Sequence, residues 1–583
     1  RAAYPDWWTD GFGSAARETA ASRKTHSDMT AVEGLLSMAV LKDKCLPQAT
    51  HQQIEHIHES LLFYDEHTFG ASESVSDPLC ENSQVQWGEK SAYAWEAVKR
   101  TQMLYETSVG LLQGDLRRGK NPTLTIFNTL NWKRSEMLTV YIDFEVIPRN
   151  QFFEITDFQG HSLKVQPIRY RREGCYYAIF AEDIPPMGYK TFEIVFKQPS
   201  TDTGTITINN ASIENHFYKL QLNPDKGTIQ SLYDKELNCE LVDSSSPWEL
   251  GAFIYEKLGN RDQLAQYRLD DYNRTGLSEC RIIDSSNGPI YQRILLQGKS
   301  PGTDEAFGVN LEIKLYHDTK RIELEYAIKR LPETDPSGIY VAFPFQLPEG
   351  KLAFDVQGGT VISGKNQLEG TSTDWNTVQN FVSVQNNQAQ IIIGSSLIPL
   401  YQLGDINLGK FQYQKQYERP HVYSWVMNNY WNTNFKASQE GEFRWSYHLT
   451  SSVDPSNNLA TKFGWSSRIP LYARVMPTGT ENHKPTEYSA FHFEKDNFLM
   501  TSCTPSKAEG YILLNIREID GKRTNLRILT EDGQTIPFTI VTPGIFKIMH
   551  GDDIVHRQRP LQPYGLVAHA SIPPFCQTVT LYS

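Results

Sequence analysis

Asn428 to Leu449 reads NNYWNTNFKASQEGEFRWSYHL, and its pattern says more about the fold than any other stretch. Phe443, Trp445, Tyr447 and Leu449 fall on one parity, while Arg444, Ser446 and His448 fall on the other. That period of two predicts a half-buried β-strand. Gln439-Glu440-Gly441 supplies a turn ahead of it, and Asn428, Asn429, Asn432 and Asn434 crowd around Tyr430 and Trp431 before the turn. Amides bond hydroxyls and aromatic rings stack on C–H faces, so the mixture suits a sugar-facing surface. An asparagine-rich loop that caps the strand through internal hydrogen bonds accounts for the same residues.

Outward from this stretch the chain stays rich in short strands. Its 583 residues exceed one hydrophobic core, so several domains are expected. Residues from Ser14 to Leu116 read differently. Met29, Val32, Leu36 and Val40 recur at helical spacing, Pro47 breaks the pattern, and Ile54, Ile57 and Leu61 begin a second one. A third runs through Ala92, Trp95 and Val98 to Leu111 and Leu112. Three amphipathic segments with short connections predict a three-helix bundle over residues 1–118.

From Asn121 the texture is β-branched and aromatic. Thr123 to Phe127, Met137 to Phe144, Tyr176 to Phe180 and Tyr189 to Phe196 predict a small antiparallel domain over residues 119–200. Gln198 to Gly204 (QPSTDTG) reads as a linker. Residues 201–468 hold strands with few helix signals, a length that predicts two large stacked sheets. A C-terminal β-sandwich region is expected over 469–583, with its clearest strands at Ala508 to Asn515, Asn525 to Leu529 and Gln577 to Leu581. The fold class is thus multidomain and mainly β behind an N-terminal helical bundle.

Charge and composition narrow the partners. A formal charge of −12 with no basic stripe argues against nucleic-acid binding. No apolar run nears the ~18 residues of a membrane span. The seven cysteines are dispersed, with no close pair to build a disulfide framework or a thiolate metal site. Sequons stand at Asn210-Ala-Ser212 and Asn273-Arg-Thr275, and a secreted or periplasmic setting is compatible with them. The chain opens on Arg-Ala-Ala-Tyr-Pro without a signal peptide or methionine, and its natural start is expected upstream. Oligomer contacts on the β domains stay open.

The sharpest chemical constellation is Tyr64-Asp65-Glu66-His67-Thr68-Phe69-Gly70-Ala71. Two carboxylates and an imidazole sit where the second helix gives way to a glycine-containing loop. This donor set binds a divalent ion through neutral imidazole and carboxylate oxygen. It supplies at most half a zinc site. A solvated helix C-terminus, with His67 complementing the dipole, is the plainer account. His51, His56 and His58 read as surface or capping residues. Trp7, Trp8 and Trp87 suit either a sugar wall or packing, as do Asp374-Trp375 and Gln379-Asn380. No phosphate loop, serine triad order or nucleotide fingerprint is present.

Four segments in order carry a family resemblance: DWWTDGFGSAARE at Asp6 to Glu18, IENHFYKLQLNPDKGTIQSLYDKELNCELV at Ile213 to Val242, NQLEG at Asn366 to Gly370 with Gln379-Asn380-Phe381 after it, and the opening string at Asn428. Together they resemble glycoside hydrolase family 38, the zinc-dependent retaining α-mannosidases. The resemblance implies a mutarotase-like supersandwich for the large β domain and a carbohydrate substrate, an α-mannoside or related glycan. It implies zinc as cofactor, with His67 as a ligand and Asp65 as a further one. Asp65 and Glu66 are alternatives for the metal or for sugar hydroxyls. The expected substrate contacts are Glu66 from this loop, with Trp7, Trp8, Asn428 and Asn429 from the amide and aromatic pattern.

Two departures accompany it. The loop reads Asp-Glu-His where the family has His-Asp, though the glycine is kept. Nothing resembles the family's N-terminal α/β domain, which carries the nucleophile and the acid/base, so both are expected upstream and this chain alone is expected to be inactive. A carbohydrate-binding assembly without catalysis and a structural oligomer platform are the competing readings.

Overall fold

A computed structural model describes residues 7–198, 211–522, 524–542, 545–549, 570–572 and 579–582. The expected linker beyond Gln198, the sequon residue Asn210, Cys576 and the start of the strand expected at Gln577 lie outside them. The chain divides into two compact units. One draws on Arg1–Thr25, Ile57–Val98 and Thr205–Arg468, the other on His26–His56, Lys99–Gly204 and Ile469–Ser583.

Three helices form where the periodicity predicts them: α1 (Ala16–Leu41), α2 (Thr50–Asp65) and α3 (Glu81–Leu112). In α1 the turns at Met29, Val32, Leu36 and Val40 are buried as expected. Its end is set by Asp43, which takes a left-handed φ of 57°, while the Lys44 amide reaches back to the Ala39 carbonyl at 3.0 Å. The phase expected for α3 is corrected. Ala94, Ala97 and Leu104 face inward, and Trp95 is 44% exposed. Small alanines mark the packed face here, and residue size drew the expected stripe onto the wrong side.

In the first unit, nine antiparallel strands form one sheet and six form another. Gly441–Ser452 lies inside the nine-stranded sheet against Ile322–Arg330. The register sets Ile328 opposite Phe443, Tyr326 opposite Trp445, Leu324 opposite Tyr447 and Ile322 opposite Leu449. Every apolar residue of the predicted stripe therefore meets an apolar partner. The Tyr326 and Trp445 rings stack 5.3 Å apart at 6°. This face joins the six-stranded sheet in a common core with Ile339, Val341, Phe343 and Val426.

The opposite face of Gly441–Ser452 is not simply solvated. His448 is buried beside Glu323, and Arg321 donates to its Nδ1 at 2.8 Å. Tyr316 and Lys314 donate to the Glu323 carboxylate at 2.9 and 3.2 Å. Burial and the Arg321 guanidinium push the His448 imidazole down to about 3. Burial works against ionised Glu323, but Lys314 and its neighbours hold that carboxyl far below its usual range.

The six-stranded sheet positions the site, because it is covered on both faces. Ser337–Phe343 and Val422–Asn428 are buried at every residue, with Tyr340 opposite Trp425 and their rings stacked 5.8 Å apart at 3°. Tyr340, Ala342, Tyr423 and Trp425 turn away from the common core into a second cluster that includes Trp375 and, at its edge, Trp7. Helix α4 (Asn457–Arg468) packs near Phe381 and Ile392 and was not foreseen. Its start is marked by Ser456, whose hydroxyl accepts the Leu459 amide at 3.3 Å.

In the second unit, Thr123–Asn128 pairs with Gly188–Lys197 on one side and Tyr472–Met476 on the other. Arg134–Asp143, Gly174–Ile184 and Lys164–Tyr170 make a separate three-stranded sheet over a core of Leu138, Ile179, Phe192 and Ile194. Phe498–Pro505 and Tyr511–Glu518 lead a five-stranded sheet, whose Met500, Ile512 and Leu514 share a core with Leu35 and Met38 of α1. Among the described residues the six cysteines are free, and no helix is long and apolar enough to cross a membrane.

Candidate functional site

Within the first unit a cavity of about 320 Å³ is lined by Trp7, Trp8, Asp10, Arg261, Tyr267, Asp374, Trp375, Gly409, Tyr430, Trp431 and Asn432, among others. Its floor follows from the six-stranded sheet, whose outer cluster carries Trp375 and Tyr430. One wall is the 3-10 segment Thr9–Ala15, sequence TDGFGSA. Glycine is needed there for close approach. A side chain at Gly11 would run into the Phe435 ring, and one at Gly13 into the Asn428 amide. The Asn428 amide in turn donates to the Asp10 carbonyl at 3.0 Å.

Two carboxyls face this aromatic enclosure. Trp431 Nε1 donates to Asp10 Oδ1 at 2.7 Å, yet burial outweighs that bond and raises the Asp10 carboxyl to about 7. Asp374 Oδ2 accepts the Gly409 amide at 3.0 Å, and burial raises this carboxyl to about 6. Its second oxygen, Oδ1, is buried with no hydrogen-bond partner. Gly409 has a φ of 75°, and a side chain there would press on the Arg268–Leu269 backbone, so glycine alone lets this amide reach Asp374.

The rings form a continuous surface. Trp7 meets Tyr267 at 5.4 Å, Trp375 at 5.7 Å and Phe411 at 5.5 Å, while Trp8 lies 4.8 Å from Trp431. Trp375 Nε1 donates to Thr9 Oγ1 at 3.0 Å, and Tyr430 donates to Glu256 at 2.6 Å. Arg261 gives one terminal nitrogen to the Thr334 and Asn429 carbonyls at 2.9 and 3.0 Å, and its Nε is buried without a partner.

The Asp65–Gly70 loop docks beside this cavity. The Phe69 amide donates to the Asn434 carbonyl at 3.0 Å, and Ser74 donates to the Phe435 carbonyl at 2.9 Å. Phe69 is buried against Tyr64, Ala94 and Phe435, with Trp87 at the edge of the cluster, so Trp87 packs under the loop and not in the cavity. His67 is exposed and meets Trp8 edge-on at 5.1 Å. Its Nδ1 lies 2.8 Å from Glu66 Oε1. Burial of Glu66 opposes ionisation, but the Thr68 amide at 2.9 Å and the Lys90 ammonium at 3.4 Å hold its carboxyl below the usual range. Asp65 is exposed and accepts from Ser22 at 3.0 Å.

The structure thus brings Trp7 and Trp8 into the cavity wall and sets His67 beside Trp8, with Glu66 against His67. Asn428 and Asn429 belong to the fold's internal bonding. Asn429 Nδ2 donates to the carbonyls of Glu333, Asp335 and Ala437, and its Oδ1 accepts the Ser337 amide at 2.7 Å. Asn432 lines the cavity in their place. Asp10, Arg261 and Tyr267 were not singled out from sequence, since nothing local distinguishes them. Among the described residues no three His, Cys, Asp or Glu side chains cluster as a metal site.

Comparison with known proteins places these features. Residues 6–112 match the Alpha mannosidase middle domain, and residues 213–411 match the Glycosyl hydrolases family 38 C-terminal domain. No curated protein sequence matches the chain. An α-mannosidase structure from Enterococcus faecalis V583 superposes with a TM-score of 0.72 at 14% identity, covering 99% of this chain and 68% of that one. A protein in the glycosyl hydrolase family 38 from Enterococcus faecalis gives 0.71 at 14% identity, covering 98% and 71%. The shared fold spans essentially the whole chain. Trp7, Trp8, Asp10, Asp374 and Trp375 fall inside the two matched segments, and the string at Asn428 lies beyond them.

Proposed function

Because the chain carries the middle and C-terminal domains of glycoside hydrolase family 38, we propose that it is the helical and β portion of an α-mannosidase-like enzyme hydrolysing α-mannosidic or related α-glycosidic bonds. One observation carries the reading. His67 touches Trp8, so the Asp65–Gly70 loop and the acid-and-aromatic cavity share a wall. Tryptophan faces and buried carboxyls are the groups that stack on and bond to sugar rings.

The donors of the loop suit a zinc ion in part. His67 and Asp65 would hold it, and the Glu66 carboxylate against His67 Nδ1 orients the ring and leaves Nε2 for a metal. Two donors leave a four-coordinate site incomplete, so the remaining ligands belong to polypeptide outside this sequence. Zinc, when bound, supplies a grip on adjacent sugar hydroxyls. Lys90 donates to the Phe63 and Glu66 carbonyls at 2.8 and 2.7 Å, which keeps the end of α2 and the loop in place. The nucleophile and acid/base carboxyls of a retaining reaction stand about 5–5.5 Å apart across the scissile bond. In this reading both come from outside the chain.

Hydrolysis of a panel of aryl α-glycosides, aryl α-mannoside among them, with added zinc tests the proposal. The 583-residue chain alone is expected to show no turnover, and the protein with its missing carboxyls restored is expected to turn over the mannoside. Zinc-dependent turnover by this chain alone would overturn the assignment of the catalytic pair to outside residues. His67→Ala is expected to lower zinc content as well as activity, and unchanged zinc would remove His67 as a ligand.

A further inference from the structure

The cavity wall sets aromatic rings around a carboxyl. Trp7, Trp8, Asp10, Tyr267, Trp375 and Trp431 all line it. Trp431 Nε1 is spent on Asp10 and Trp375 Nε1 on Thr9, so both indoles are pinned by their N–H edges. Trp7 meets Tyr267 at 80° and Trp375 at 89°, so these rings stand as walls at right angles. Pinned rings at right angles beside a carboxyl are the parts of an aromatic cage. Such a cage attracts an alkylammonium ion, whose charge is favoured within ~6 Å of a ring centroid.

The charges around the rings have the sign this ligand needs. The charge that acts on Asp10 is that of Asp374, a second buried carboxyl. Asp374 is turned into the wall, with Oδ2 on the Gly409 amide and Oδ1 sealed, so it contributes charge and no contact. Lys415 offsets part of that charge. The Arg261 guanidinium also lines the cavity, but it is bonded to the Thr334 and Asn429 carbonyls, and Asp335 and Asp262 balance it. His67 stands against Trp8 and is answered by Glu66. The cavity's 320 Å³ lies at the low end of the ~300–1,000 Å³ of ligand pockets, which suits one small ligand.

We propose that this cavity is a binding site for a small quaternary ammonium ion, caged by the tryptophan and Tyr267 rings with Asp10 as its counter-charge. A quaternary ammonium asks for ring faces and negative charge and for no hydrogen bond, and the wall's indole donors at Trp431 and Trp375 are already committed. The site is built from residues of this chain, and it stands apart from the glycosidase reading.

Burial raises the Asp10 carboxyl to about 7, and a cation beside it favours the charged form. Binding below that pH therefore releases a proton, so affinity is expected to rise with pH and to level off above about 7.

Calorimetric titration of the chain with choline, at constant ionic strength, tests the site against 3,3-dimethyl-1-butanol, which has the same shape and no charge. Choline is expected to saturate, and the alcohol to bind about tenfold more weakly or worse. Choline is expected to bind more tightly at pH 8 than at pH 5. Asp10→Asn keeps an acceptor for Trp431 and removes the charge, and it is expected to weaken choline about tenfold or more and to flatten the pH dependence. Tyr267→Asn is a second variant safe for folding, since Tyr267 is 60% exposed and its φ of 51° is one that asparagine accepts. It too is expected to weaken choline. No saturation by choline, equal binding of the uncharged alcohol, or an affinity unchanged in both variants would overturn the proposal. Choline binding by a complete protein that fails to hydrolyse aryl mannosides would strike the proposed function and leave this site standing.

Discussion

Trp431 Nε1 donates to Asp10 Oδ1 at 2.7 Å, a hydrogen bond between residues 421 positions apart in sequence. It joins the TDGFGSA segment to the asparagine-rich loop and sets one side of the cavity. The Asp10 carboxyl it supports is almost fully buried, so the bond cannot be replaced from solvent.

Trp431→Phe keeps the ring and removes the donor. A loss of about 1–3 kcal/mol is expected, since a buried carboxyl oxygen is left without its donor. Urea denaturation of the two proteins measures it. The bond also favours the charged form of Asp10, so its removal is expected to move that titration upward.

Asp10 makes stability depend on pH in a direction opposite to ordinary acid denaturation. Its folded carboxyl lies near 7, against about 3.9 in the unfolded chain. Between those values the folded state holds a proton that the unfolded state releases, so this group's contribution is full below pH 4 and is lost as pH rises to 7. Relative to Asp10→Asn, the parent protein is expected to lose stability with rising pH at up to about 1.4 kcal/mol per unit. Denaturation midpoints of both proteins between pH 4 and pH 8 check the slope and its sign.

Asn429→Ala removes one amide that answers four main-chain groups. Each buried group left unpaired costs about 1–3 kcal/mol, so a loss of about 3 kcal/mol or more is expected. Chemical denaturation gives the loss. A variant as stable as the parent would show that the loop closes without this asparagine.

Glu323→Gln leaves Lys314 and Arg321 near an uncharged amide inside the nine-stranded sheet. Breaking a buried ion pair costs about 3–5 kcal/mol, and the remaining Glu312 and Glu325 neighbours at 3.2 and 3.3 Å from Lys314 place this case at the lower end. The denaturation midpoint reports the cost. A second readout is His448, which is expected to lose its nearest carboxylate and titrate still lower by NMR.

The strand at Gly441–Ser452 was legible because one of its faces is fully apolar and a one-residue slip would invert it. The helices were legible for the same reason of period, apart from the phase of α3, where alanines do the packing. Ser337–Phe343 and Val422–Asn428 carry no alternation because both faces are buried, so sequence marks them as apolar and nothing finer. Helix α4 is short and polar, and its start rests on a single serine cap.

The candidate site was legible in part. Trp7 and Trp8 were marked by their density, and the Asp65–Gly70 loop by its mixed donors. Asp374 was marked only beside Trp375, as either a sugar wall or packing, and Asp10 was not marked at all, because an aspartate acquires meaning here from what surrounds it. The same residue type on a surface would titrate normally and bind nothing.

The sequence by itself determined the mainly β architecture behind three helices and the family to which its segments belong, since period and local motif are properties of neighbours along the chain. Only the tertiary structure decided that Asp10, Asp374, Trp375 and Trp431 share one enclosure, and that Tyr472–Met476 returns to pair with Thr123–Asn128. Burial creates the site's chemistry. It raises two carboxyls and strands one acceptor beside aromatic rings, and burial is set by residues hundreds of positions away.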